Sequence, residues 1–227
     1  MSKPSRIGLA ALLLAMLGIT AWQLSLSRAP QPLYEGKPLD FWLKTFGLGP
    51  GAFPRAVLRS NAIPVLLLAL ERRDGLIQTA YKNVWSNMPL AARKRMPRPV
   101  DSVLVRANAC CVLLAMGEEA SPAIPRLIRL LKEDSDSCVR MMAVQAFQRV
   151  GVGNMEVTTA MVQALGDREP EVRATAAKSL GTAGTNSDMV VRALTKSLRD
   201  GAPKVREAAA AALLRVAPEA VGKAGVQ

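Results

Sequence analysis

Apolar and polar positions recur along the chain with the period of one short helical unit. A Val-Arg pair marks each copy, and the spacings between successive arginines are 34, 33 and 33 residues. The pairs are Val105-Arg106, Val139-Arg140, Val172-Arg173 and Val205-Arg206. In every copy Ala stands three residues after the Arg and a large apolar residue stands seven after it. Because these positions share one face of a helix, the pattern predicts four copies of one amphipathic helix.

Helix start and stop signals bound these predicted helices. An Asp precedes three of the arginines by six residues, at Asp134, Asp167 and Asp200. Pro170 and Pro203 fall at the expected first turn of their helices. Eleven residues after three of the arginines comes a Gly, which is typical of a helix C-terminus. These glycines are Gly117, Gly151 and Gly184.

A second apolar segment precedes each of these helices, so the repeating unit is a helix pair. The segments run from Ala62 to Arg72, Pro122 to Lys132, Glu156 to Leu165 and Ser187 to Leu198. An insertion over residues 73–100 interrupts the first pair. We expect it to contain a helix from Leu76 to Met88 followed by a basic loop.

The sequence pattern resembles the HEAT and HEAT-like repeat family: an apolar helix, a turn with Asp and Pro, then Val-Arg-x-x-Ala and a closing Gly. The resemblance covers residues 51–217, with 218–227 as a tail. It implies an all-α fold, an α-α superhelix or α-solenoid of about four helix pairs. The Trp/Gly/Tyr positions of tetratricopeptide repeats and the Thr-Pro-Leu-His of ankyrin repeats are missing. In the family the ladder of Asp and Arg is structural, and we expect each Arg to bind a turn Asp.

The first 27 residues predict an export signal or a membrane anchor. Lys3 and Arg6 precede an apolar stretch over residues 7–24, so a hydrophobic N-terminal helix is expected before the repeats. Residues 28–50 are interpreted as a lead-in or linker, and Phe41-Trp42-Leu43 looks like the lead-in of exported bacterial HEAT-repeat proteins. The repeats would then lie outside the cytoplasm, either held at the inner membrane by one helix or released as a periplasmic or secreted protein.

The amino-acid composition limits which catalytic and metal-binding sites the chain can form. The chain has 227 residues and a formal net charge of +12, with no His and three Cys. Catalysis by His, zinc sites that use His and four-Cys metal sites therefore cannot be built from it. We expect Cys110, Cys111 and Cys138 to be free thiols. The sequence gives no catalytic residue, metal site or cofactor.

The candidate partner surface is the face of the Val-Arg helices that points away from the packed stripe, which would be the concave face of a solenoid. Counting from each Arg also places Cys111, Thr175, Glu207 and Leu214 on this face. The candidate partner-binding residues are Asn108, Met141, Met142, Gln145, Gln148, Arg149, Lys178 and Arg215. The alternative is an ordinary solvated helix face.

The densest basic cluster lies in the insertion, at Arg93, Lys94, Arg95 and Arg98. Residues 28–117 hold 13 Lys and Arg against 5 Asp and Glu. An anionic ligand such as lipid head groups, nucleic acid or an acidic protein would fit this cluster. A solvated surface loop is the other interpretation.

These observations favour a non-enzymatic protein-protein interaction scaffold whose partner the sequence does not identify. Two alternatives stay open: an enzyme like the HEAT-like phycobilin lyases, and anionic-ligand binding through the basic insertion. Lyase chemistry is cytoplasmic, which conflicts with the export signal. Nucleic acid is not the expected partner because few aromatics accompany the cations, and a small molecule is not expected either.

Overall fold

The computed structural model describes residues 33–34, 36–45, 62–184 and 187–218. The predicted N-terminal hydrophobic helix lies outside them. The described chain divides into two units. We call residues 74–99 the insertion unit and the other described residues the repeat unit. Among the helices described, none combines the length and apolar sequence that a bilayer crossing needs.

Helices dominate both units, and only two very short strands accompany them in the described residues. The strands are β1 (Leu33–Tyr34) and β2 (Lys37–Pro38), an antiparallel pair. The helices are α1 (Leu39–Thr45), α2 (Ile63–Leu70), α3 (Leu76–Asn87), α4 (Leu90–Arg93), α5 (Ser102–Met116), α6 (Ile124–Glu133), α7 (Ser137–Ala146), α8 (Met155–Ala164), α9 (Pro170–Ala183), α10 (Asp188–Ser197) and α11 (Pro203–Val216). A 3-10 helix, Gly117–Ala123, joins α5 to α6.

In the repeat unit these helices form successive pairs, as the sequence predicts. The first helices are α2, α6, α8 and α10, and the second helices are α5, α7, α9 and α11. Each second helix packs against the next second helix, while neighbouring first helices touch less. The predicted helical repeat is therefore confirmed in the described residues.

The helix ends follow the predicted signals. Asp136 accepts hydrogen bonds from the Cys138 and Val139 amides and so caps α7. Gly151 adopts a φ of 70° just after the turn that ends α7. A Cβ there would meet the Ile124 side chain of α6 at 2.7 Å and the Val157 side chain of the next repeat at 2.9 Å. Glycine therefore serves at this turn both for its left-handed backbone and for the close approach of the next repeat.

The core of the repeat unit is continuous from α1 to α11. Its repeated columns are buried, as the apolar pattern requires. The Ala column consists of Ala109, Ala143, Ala176 and Ala209, and the large apolar column consists of Leu113, Phe147, Leu180 and Leu213. Small side chains in the first column let helix backbones approach closely, and the second column fills the remaining volume.

Helix α1 belongs to this core. Leu39 and Leu43 are fully buried, and α1 packs against α5. The interpretation of residues 28–50 as a lead-in or linker therefore needs correction for the part that the structure describes. Pattern analysis missed α1 because seven residues are too few to establish a helical period.

The insertion unit contains α3, as predicted, and then the short α4. Lys82 forms an ion pair with Asp74 at 2.6 Å. The predicted basic loop is partly helical, since Arg93 is the last residue of α4.

Candidate functional site: the second-helix face

A ladder of buried and half-buried arginines and aspartates joins successive repeats. The Arg140 Nε and Nη2 atoms donate to the two carboxylate oxygens of Asp167, each at 2.8 Å, while Nη1 donates to the Asp134 carbonyl oxygen at 2.9 Å. Arg173 repeats this arrangement with Asp200 and with the Asp167 carbonyl. Each guanidinium thus binds the turn of its own repeat and the carboxylate of the next repeat.

The first step of the ladder follows the same plan. Arg106 Nε lies 2.8 Å from an Asp134 carboxylate oxygen, and Nη1 donates to the Arg72 carbonyl at 2.7 Å. The side chains of Arg106 and Asp134 are almost wholly buried. The expectation that the repeat arginines bind turn aspartates is confirmed for Arg106, Arg140 and Arg173, which join successive repeats. Arg206 binds backbone carbonyls instead.

Hydrogen bonding sets the charge state of the exposed end of the ladder. The Arg173 hydrogen bond, helped by the Ala202 amide, holds the pKa of Asp200 below its usual value. Burial favours the neutral form of Asp167, but hydrogen bonds from Arg140 and the Glu169 amide outweigh it and lower the pKa of that carboxyl. Both aspartates are therefore ionised when the protein is folded near neutral pH.

Most of the predicted partner residues do lie on an accessible surface formed by α7, the turn after it, α9 and α11. We call this surface the second-helix face. Its members are Met141, Gln145, Gln148, Arg149, Lys178 and Arg215, of which the three cations are exposed and the others half-buried. Gln148 Nε2 donates to the buried Ser179 hydroxyl at 2.9 Å, so that amide also ties α7 to α9.

A small hollow opens between α9 and α11 on this face. Its volume is about 150 Å³ and its lining residues are Lys178, Gly181, Ala208, Ala211, Ala212 and Arg215. Lys178 and Arg215 supply positive charge, and the residues between them carry no side chain larger than a methyl group. The run of five alanines over residues 208–212 is the sequence signal for this bare floor.

Two of the predicted partner residues are buried, so the expectation that they face outward is wrong. Asn108 is fully buried, and its Nδ2 donates to the Leu43 carbonyl at 2.9 Å because α1 covers α5. Met142 is buried with its sulfur 3.6 Å from the Cys111 sulfur. The second position after the Arg is accessible only in the later repeats.

The three thiols are free, as predicted. Burial raises the pKa of the Cys110 thiol far above its usual range and that of Cys111 to about 11. Burial, with Asp136 nearby, also raises the pKa of Cys138. All three are therefore protonated near neutral pH and poorly nucleophilic.

Grooves also separate the first helices, and sequence reasoning did not anticipate them. The groove between α6 and α8 has a volume of about 440 Å³ and is lined by residues that include Ile128, Lys132 and Met155. Near the end of α2, Glu71 pairs with Arg126 and approaches Arg129. The charges flanking α2 and α6 thus neutralise one another, unlike the cations of the second-helix face.

The predicted basic cluster lies in the insertion unit. Arg93 Nε donates to the Met88 carbonyl at 2.9 Å, so this guanidinium closes the turn after α3. Lys94, Arg95 and Arg98 are exposed.

A family profile agrees with the repeat geometry in the C-terminal part of the chain. Residues 158–223 match the family profile of HEAT repeats. The matched segment contains most of α8 and all of α9, α10 and α11. No curated protein matches the chain. An engineered protein of known crystal structure is 23% identical, with a TM-score of 0.40, and the match covers 72% of this chain and 85% of that one.

Proposed function

We propose that the repeat unit is a non-enzymatic protein-binding scaffold whose partner docks on the second-helix face. The observation that carries this proposal is the exposure of three cations and their lack of ion pairing within the described residues. Arg149, Lys178 and Arg215 are exposed, and in the described part of the chain no carboxylate pairs with them. The arginines of the ladder that precede an aspartate turn, in contrast, form ion pairs between successive repeats. HEAT repeats commonly mediate protein-protein interaction, which supports the same function.

The hollow between α9 and α11 favours a polypeptide partner. Gly181 and the flanking alanines would let a partner backbone approach α9 and α11 closely, while Lys178 and Arg215 would contact acidic side chains at its edges. Complementary charge of this kind steers association and fixes orientation.

Site-specific crosslinking in intact cells tests this proposal. A photoreactive residue is placed at Lys178 or Arg149 on the second-helix face, and at the exposed Arg192 on α10 as the matched position on a first helix. We expect the two face positions to capture the same discrete protein, and Arg192 to capture it far less. Equal capture from all three positions would show that the face is not the contact surface.

Charge reversal provides a second readout on the captured protein. Lys178→Glu with Arg215→Glu should strongly reduce its crosslink from Arg149, because like charges would then oppose an acidic partner. The control, Arg192→Glu with Lys196→Glu, makes the same charge change on α10. If the variant with Lys178→Glu and Arg215→Glu crosslinks to the same extent as the control, this surface has no electrostatic role in binding.

We further propose that the repeats are displayed outside the cytoplasm, as in exported bacterial HEAT-repeat proteins. Support comes from the apolar stretch over residues 7–24 behind Lys3 and Arg6. Mass measurement of the mature N-terminus, combined with cell fractionation, tests this. We expect either an intact chain in the membrane fraction or a chain cleaved after the apolar stretch. An intact chain recovered from the cytosol would contradict export.

A further inference from the structure

The insertion unit presents apolar side chains to solvent along one side of α3. Leu76, Ile77, Ala80 and Val84 are all exposed, and Leu76 is 92% exposed. At 100° per residue these four positions fall within an arc of about 100°. A surface helix normally turns such a stripe towards a core, but the buried side of α3 is a different one, marked by Tyr81. We call these four residues the apolar stripe.

The basic segment after α4 folds back beside this stripe. The Tyr81 hydroxyl donates to the Pro97 carbonyl at 2.5 Å. Tyr81 follows Ile77 by one helical turn and precedes Val84 by three residues, so the three are neighbours on the helix surface. Pro97 is therefore held to the Tyr81 side of α3, which adjoins the apolar stripe on the helix surface.

Positive charge is concentrated in the same segment. Lys94, Arg95 and Arg98 are exposed, and the only acidic residue of the insertion unit, Asp74, is paired with Lys82. Within the described chain no carboxylate pairs with the three exposed cations. One small unit thus combines exposed apolar area with uncompensated charge.

We propose that the insertion unit binds an anionic lipid surface. The apolar stripe, joined by the exposed Leu90, would enter the boundary between head groups and acyl chains, and Lys94, Arg95 and Arg98 would contact lipid phosphates. Interfacial helices combine these two features, and each cation near an anionic bilayer strengthens binding. A nucleic acid or an acidic peptide would use the cations but would leave the stripe exposed to water.

Hydrogen exchange of the full chain tests this locally. The probes are vesicles of phosphatidylcholine mixed with phosphatidylglycerol, and vesicles of phosphatidylcholine alone. We expect the mixed vesicles to slow amide exchange across residues 76–96, because the buried side of a helix that lies in the interface opens less often. The neutral vesicles should protect these amides much less. Absent or equal protection by the two vesicle types would overturn the proposal.

Three variants separate the contribution of the cations from that of the apolar stripe. Lys94→Gln, Arg95→Gln and Arg98→Gln together should raise the vesicle concentration needed for half-protection on the order of 100-fold, at about 1 kcal/mol per cation. Leu76→Ser, Ile77→Ser and Val84→Ser together should abolish the protection of α3. The matched control replaces three exposed cations of the repeat unit, Arg192, Lys196 and Arg199, by Gln.

All substituted side chains are exposed, so these variants should stay folded, and exchange of α3 without vesicles verifies this. The control should keep the protection of residues 76–96. If the control loses this protection as far as the variant with Lys94, Arg95 and Arg98 replaced by Gln does, the net charge of the whole protein explains the effect. The proposal would then be wrong. It is equally wrong if an acidic peptide or an oligonucleotide protects these residues while the mixed vesicles do not.

Discussion

Each ladder arginine satisfies two different kinds of acceptor with one side chain. The planar guanidinium carries five N–H donors in a fixed fork, which suits a carboxylate on one edge and backbone carbonyls on the other. In the Arg140 ladder step the carboxylate belongs to Asp167 and the carbonyls to Asp134 and Ser135. Lysine has a single ammonium on a flexible stem and cannot reproduce this geometry, which explains why arginine occupies the copies that pair with a carboxylate.

Replacing a buried ladder arginine should destabilise the repeat unit far more than replacing the last one. Arg140→Ala would leave Asp167 charged and without its partner, at a cost of about 3–5 kcal/mol. Arg206 is exposed and binds only the Asp200 and Gly201 carbonyls among the described residues, so Arg206→Ala should cost about 1 kcal/mol or less. Urea denaturation measures both values. Equal losses would mean that the carboxylate pairing adds nothing to stability.

Acid should weaken the ladder through its aspartates. The folded-state pKa values of Asp167 and Asp200 lie below the ordinary value near 4. Their contribution to the free energy of unfolding is therefore complete above about pH 4 and is lost as the pH falls through the lowered folded-state pKa values.

Urea denaturation from pH 7 down to about pH 3 checks this expectation. In a variant with Asp167→Asn and Asp200→Asn, stability should fall less steeply over the acidic part of this range. Parallel pH dependence in the variant and the parent protein would assign the acid sensitivity to other groups.

At the scale of helices, the contact between α9 and α11 depends on a glycine. A Cβ at Gly181 would lie 2.7 Å from the Ala212 Cα and 2.8 Å from its Cβ. Ala is the better helix former by about 1 kcal/mol, yet Gly181→Ala should destabilise the protein by about 1–3 kcal/mol because the two helices must separate. Thr182→Ala, at an exposed site on the same turn, is the matched control. Thermal unfolding that ranks Gly181→Ala as the more stable variant would contradict this close contact.

The paired helices were predictable because each repeat combines the apolar period with at least one boundary signal, and the α9 repeat has both boundary signals. The 3.6-residue period, the first-turn proline at Pro170 or Pro203 and the positive-φ glycine at Gly117 or Gly184 set type and boundaries together. Helix α1 was not predictable, because its burial depends on contact with α5, which is distant in sequence.

The candidate site was predictable only in part, for the same physical reason. Counting positions from the arginine assumes that every second helix faces solvent alike. That holds for Lys178 and Arg215, but Asn108 lies under α1 and Met142 packs on Cys111. The apolar stripe of α3 escaped the pattern entirely, since periodicity alone does not reveal which side of a helix is covered.

For the molecule as a whole, the insertion should be dispensable for the stability of the repeats. The described first and second helices of the other pairs are joined by short turns, such as residues 134–136 between α6 and α7. Replacing residues 75–98 by a short Gly/Ser turn should leave the urea midpoint of the repeat unit nearly unchanged, because the first ladder step uses Arg72, Arg106 and Asp134.

The same replacement should abolish the vesicle-dependent protection proposed for the insertion unit. Loss of cooperative unfolding in the shortened chain would instead show that residues 75–98 are part of the repeat core. The outcome separates the lipid-binding proposal from the scaffold proposal, since only the former needs these residues.

The direction of the ladder also indicates where such a chain tolerates added length. Each pairing runs from an arginine to the aspartate of the following turn, 27 or 28 residues later, so an extra segment in one of those later turns would displace the aspartate. The insertion lies instead in the turn between α2 and α5, ahead of the first of these aspartates. Natural selection should therefore hold the length of each later repeat constant.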